Sequence, residues 1–114
     1  MIVEVGDKVH IIYRALYEKS TRRHFLGEIV AADRALCRIE GFAFVYDQKT
    51  ESYVKKLGKR TTIVDLGESG YIVNMIASDV NLDSVFYRYQ SEMGLVATDG
   101  KNFLLDINEF GLKN

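Results

Sequence analysis

Apolar positions recur at every second residue along most of this chain, in short runs separated by Gly, Asp, Asn and Ser. Period two is the mark of a strand, whose successive side chains point to opposite faces. In "GDKVHIIYRALY" the residues Val9, Ile11, Tyr13, Ala15 and Tyr17 share one face, which predicts a strand from about residue 8 to 17. "RHFLGEIVAA" resumes the pattern after "EKST", and Gly27 in its middle predicts a bulge or the close approach of another backbone. "ALCRIEGFAFVYD" reads as a long strand bent at Gly41, followed by a hairpin into "ESYVKK". "RTTIVDL", "YIVNMI" and "VFYRYQ" add further strands. Asp99-Gly100, between two β-like runs, predicts a type I′ hairpin turn, because both central residues of that turn need positive φ. Short helical turns are expected at "SDVNLDSV", capped by Ser78, and at "DINEFG", where Asp106 and Glu109 have capping-box spacing.

Roughly seven or eight short strands joined by short loops predict an all-β, mainly antiparallel fold. The expected form is a small SH3-like or related barrel with an extra C-terminal hairpin, residues 1–114 forming one domain.

One stretch does not fit a barrel with a wet exterior. In "GFAFVYD" the residues Phe42, Phe44 and Tyr46 line one face, while Ala43 and Val45 line the other. Both faces are apolar, whereas a half-exposed antiparallel strand alternates apolar with polar. "YIVNMI" and "VFYRYQ" share this property. Three covers are open: the C-terminal residues from about 78 onward, a second copy of the chain, or a small ligand. Phe42, Phe44 and Tyr46 are therefore the candidate partner surface.

Composition narrows the functional classes. The chain is 47% hydrophobic and 27% charged, ordinary values for a soluble globular domain. No apolar run approaches the ~20 residues of a membrane-spanning helix, so no membrane partner is expected. "MIVEVGDKVHII" does not read as a secretory leader, and a single cysteine, Cys37, fits a reducing compartment, so a cytoplasmic location is expected. The net charge of −1 hides an asymmetry. Residues 1–60 hold twelve Lys/Arg against eight Asp/Glu, a net of +4, and residues 61–114 hold three against eight, a net of −5. Arg22, Arg23, Lys55, Lys56 and Arg60 are the candidate polyanion patch, which would work as a nucleic-acid site if they cluster in space beside exposed aromatics such as Tyr17 or Tyr53. The competing reading is that Lys and Arg at strand edges discourage edge-to-edge aggregation.

The apolar-Gly-x-apolar element Leu26-Gly27-Glu28-Ile29, set within residues 6–47, resembles the early strands of SH3-like and Sm-like barrels. Sm-like nucleotide sites carry an Asp and an Asn after that glycine; Asp33 stands near the first position, but Arg34-Ala35-Leu36 follows it. The whole chain also resembles small uncharacterised bacterial all-β proteins, on the segments "RRHF-GE", "EGFAFVYD" and "TDGKNFLLDINEFG". That resemblance implies no activity.

Catalytic chemistry finds little support. His10, His24 and Cys37 could meet on neighbouring strands as metal ligands or as a Cys–His dyad, but their spacing matches no metal pattern, and a thiol inside a strand is ordinarily inert. Asp79, Asn81 and Asp83 copy the first ligands of a calcium loop, yet Ser84 stands where Gly is required and Gln90 where Glu is expected. No phosphate loop, nucleophile elbow or dinucleotide fingerprint is present. Neither a metal nor a cofactor is expected. The expected function is a non-enzymatic protein-interaction or accessory module, its partner another protein or a second copy; nucleic-acid binding through the basic first half is the alternative.

Overall fold

A computed structural model describes residues 2–14 and 21–107. Among the described residues nine strands carry the fold: β1 (Lys8–Ile12), β2 (Arg23–Asp33), β3 (Leu36–Asp47), β4 (Ser52–Lys55), β5 (Arg60–Asp65), β6 (Ile72–Ile76), β7 (Phe86–Gln90), β8 (Gly94–Thr98) and β9 (Leu104–Asp106). All pairings are antiparallel. The first six form one sheet in the order β4-β3-β2-β1-β6, with β5 also on β3; the last three form a second sheet, β7-β8-β9. The long β3 serves two neighbours in series, holding β5 along Leu36–Gly41 and β4 along Phe44–Asp47. The expected all-β, antiparallel class therefore holds. Among the described residues, however, no ladder closes the sheet into a barrel, and β6 pairs with β1 alone.

The two-faced apolar strands have a direct explanation. The large sheet buries both faces. Its outer face places Leu26, Phe42, Phe44 and, on β6, Ile76 against Val85, Tyr87, Leu95 and Ala97, which come from the second sheet and the segment leading into it. Its inner face packs Val9, Ile11, Phe25, Ile29, Cys37, Ile39, Ala43 and Val64 against one another. Phe44 and Ala43, adjacent in sequence, thus enter two different cores. Of the three covers left open by the sequence, the chain's own C-terminal sheet covers Phe42 and Phe44, which are 9% and 1% exposed.

Gly27 and Gly41 face each other across β2 and β3. A Cβ on Gly27 would lie 2.6 Å from Ile39 Cγ2 and 2.7 Å from the Glu40 carbonyl oxygen, so the close approach of backbones expected there is real. The register shift itself falls further on, between Ile29 and Ala31.

Four other expectations need correction or limits. The β7 approach contains a single 3-10 turn, Leu82–Ser84, capped by Asn81 rather than Ser78. Asn81 Oδ1 accepts from the Asp83 amide, so this residue of the apparent calcium loop serves as a cap. The Asp99-Gly100 hairpin exists, but its loop is five residues long, because Thr98 pairs with Leu104. Asp99 Oδ1 accepts from the Lys101 and Phe103 amides, and Thr98 Oγ1 donates to the Phe103 carbonyl. These side-chain bonds satisfy the wider loop, which a two-residue turn could not form. Residues 15–17 of the first expected strand, and most of the "DINEFG" helical turn, lie outside the described residues.

Candidate functional site

Cross-strand register decides which side chains can meet, since paired residues point to the same face. On the outer face one row reads Asn74, His10, Leu26 and Phe42 across β6, β1, β2 and β3. The next row reads Ile72, Ile12, His24 and Phe44. His10 and His24 are therefore near neighbours, with ring centroids 4.9 Å apart in a T-shaped arrangement. Cys37 lies on the inner face, fully buried, and burial raises its thiol pKa. The sheet itself thus stands between the thiol and the histidines. Neither the Cys–His dyad nor the His10/His24/Cys37 ligand set forms, and among the described residues no three His, Cys, Asp or Glu side chains are grouped to hold a metal.

The histidines have another partner. Tyr87 on β7 presents its hydroxyl to both, 2.7 Å from His10 Nε2 and 2.6 Å from His24 Nδ1. One hydroxyl has one proton to donate, so it donates to one ring and accepts from the other. His10 Nδ1 is buried without a partner. An unpaired lone pair there costs less than an unpaired N–H, which favours His10 Nε2–H donating to Tyr87 and Tyr87 donating to His24 Nδ1. Tyr53 stacks on His24 at 4.1 Å, completing an aromatic cluster with Tyr87 and Phe44. Burial pushes His10 down to about 4; burial, then the His10 and Arg22 charges, push His24 down to about 3. The two rings are neutral at pH 7. This is a structural clasp between the sheets, closed to solvent.

The candidate polyanion residues divide between the two faces. Arg22 lies on the outer side, its guanidinium 4.5 Å from the centroid of the Tyr46 ring. Tyr46, the half-buried member of the candidate partner surface, pairs with Tyr53. Lys55 also lies outside, 4.1 Å over Phe42 and donating to the Asp83 carbonyl at 2.7 Å. Lys59 reaches Glu40 at 3.9 Å. A cleft of about 210 Å³ between Glu28, Glu40, Phe42 and the 3-10 turn is edged by Lys8 and Lys59. Lys8 already donates to the Ser78 and Val80 carbonyls, at 2.7 and 2.5 Å.

Arg23 and Arg60 belong to the inner side. Arg23 pairs with Val45, beyond Phe25, and Arg60 pairs with Gly41, beyond Val64 and Thr62. Both exert a field on Tyr13 that lowers its phenol pKa, although burial and Tyr71 outweigh them and leave it raised. Tyr13 and Tyr71 are stacked, 4.6 Å between centroids and 8° from parallel. The Arg14 guanidinium lies over Gly70, Nη1 3.1 Å from where a Cβ would stand. Arg14, Arg23 and Arg60 are exposed, and none pairs with a carboxylate among the described residues. Lys56 is exposed and its amide donates to the Ala43 carbonyl at 2.8 Å. One end of the inner face therefore carries a stacked tyrosine pair beside the unneutralised Arg23 and Arg60, with Arg14 over Gly70 next to Tyr71.

Sequence reasoning named Arg23 and Arg60 but missed Tyr13, Tyr71 and Arg14 as their company, and missed Tyr87 altogether. Tyr13 was visible as the first aromatic in the alternation that begins with Val9 and Ile11. No family model, curated protein or solved structure matches the chain.

Proposed function

We propose that the protein is a non-enzymatic binding module for nucleic acid, with the large sheet acting as an open SH3-like scaffold. The observation that supports it is the gathering of Arg23 and Arg60 at the Tyr13–Tyr71 stack, with Arg14 over the adjoining Gly70. Arginines supply phosphate contacts and aromatic faces supply stacking platforms, the two ingredients of sequence-tolerant single-strand binding. Guanidinium groups also stack on bases, so the same side chains serve both purposes. The burial of Phe42 and Phe44 draws support away from a protein-interaction role through that face, and the separation of Cys37 from the histidines draws it away from catalysis.

The test is titration of a fluorescent single-stranded oligonucleotide at two salt concentrations. Three phosphate contacts on a single strand correspond to a log–log salt slope of about −2, a loss of about 20-fold between roughly 50 and 200 mM. Arg23→Ala and Arg60→Ala should each weaken binding and flatten the slope by about 0.7. Lys55→Ala, on the opposite face, should leave binding unchanged. No binding at low salt, or binding insensitive to both arginine variants, would remove this function.

A further inference from the structure

The second sheet covers only part of the outer face. Phe42 and Phe44 are beneath it, but the same face of β3 continues through Glu40, Arg38 and Leu36 into solvent. Here the register builds two rows across three strands. One is Asp33, Leu36 and Asp65; the next is Ala31, Arg38 and Ile63. Leu36 is 50% exposed and Ile63 59%, and Val30, at the register shift of β2, is 39% exposed beside them. Underneath, Cys37, Ile39 and Val64 are packed in the inner core, so the patch is a firm platform. Arg38 has no carboxylate partner among the described residues.

We infer that this patch is a self-association surface, and that its occupant is a second copy of the chain. The argument is charge complementarity under two-fold symmetry, in which each contact is made twice. Consider an axis lying between two facing sheets, perpendicular to the strands, at the level between the two rows. It sets the Arg38 row of one copy over the Leu36 row of the other while keeping β3 over β3. The methylenes of Arg38 then cover the partner's Leu36, and its guanidinium falls between the partner's Asp33 and the partner's Asp65. The reciprocal contact follows by symmetry. Packed sheets keep their strands within about 30° of parallel, which this arrangement satisfies. An axis along the strands would instead oppose Asp33 to Asp65, so the charges select one geometry. The two rows supply six side chains per copy, against about 20–30 residues a side in a stable complex, so the dimer is weak and depends on concentration. It does not involve the Tyr13–Tyr71 end and stands independently of the nucleic-acid reading.

Sedimentation equilibrium from micromolar to millimolar protein tests it. The expected result is a mass rising from 13.0 kDa toward twice that value. Arg38→Asp should hold the protein monomeric across the range, and a double variant that adds Asp33→Arg to Arg38→Asp should regain association; Asp33 is chosen over Asp65 because Asp65 Oδ1 accepts from the Gly67 and Glu68 amides. Far-UV circular dichroism and melting temperature show whether each variant is folded. Because Arg38 and Asp33 are exposed, their folds should match wild type. A wild-type chain that stays monomeric at millimolar concentration overturns the inference. So does a folded Arg38→Asp variant that associates as wild type does, or a double variant that fails to recover.

Discussion

Acidification from pH 7 to pH 5 should destabilise the protein by about 4 kcal/mol, well before its carboxylates are titrated. In the unfolded chain His10 and His24 take up protons near pH 6.5, whereas in the folded chain they do so only near 4 and 3. Between those limits the unfolded state binds up to two more protons than the folded one. Stability therefore falls as pH falls, by about 1.4 kcal/mol per unit for each ring. The contribution is fully present above pH 6.5, and the loss levels off below about pH 3. Both rings are buried, at 0% and 4% exposure, so solvent does little to screen the effect. Against a total of about 5–15 kcal/mol for a native domain, two pH units remove a large share. Thermal melts at pH 7, 6 and 5 provide the check. A melting temperature flat across this range would mean that the rings charge without cost and that Tyr87 does not hold them neutral.

Gly41→Ala should be strongly destabilising. A Cβ there overlaps the Leu26 carbonyl oxygen and lies 2.5 Å from Gly27 Cα. Backbone atoms of a central strand cannot rotate aside as a flexible side chain can. The β2–β3 ladder must part, at a cost of about 3 kcal/mol or more. Alanine at Gly58, where nothing lies within 4 Å, is the steric control, although φ there is +85° and carries its own strain. Urea unfolding of both variants measures the difference. If Gly41→Ala loses no more than Gly58→Ala, the close approach is not needed by the fold.

The sequence displayed its strands well because alternation is a local signal. It also displayed the consequence of "GFAFVYD", that something must lie on each face. It could not say what, because Phe42 is covered by residues such as Leu95 and Ala97 more than fifty positions later. Tyr87 is 77 residues from His10 and 63 from His24, and nothing local in "VFYRYQ" marks its hydroxyl as the partner of two imidazoles. The basic residues were legible as types but not as a place. Arg22 and Arg23 are neighbours in sequence, and the pleat sends them to opposite sides of the sheet. The Asp99-Gly100 turn was over-read for the opposite reason. Its backbone preference is local, but Thr98 and Asp99 supply side-chain bonds that make a longer loop the better solution.

The junction between the sheets is made of side chains. Among the described residues no backbone hydrogen bond joins β7, β8 or β9 to the large sheet. The three strands from Phe86 to Asp106 are consecutive, and among the described residues their ladders run in the order β7-β8-β9. Parting the sheets would break no ladder. It would wet one core and release the Tyr87 hydroxyl, leaving the inner core of Val9, Phe25 and Ile39 intact. The molecule thus has a natural unit of partial unfolding, a C-terminal flap with its own ladder, which can lift and reseat as a body at less than the free energy of global unfolding. What such lifting uncovers is the Phe42–Phe44 face.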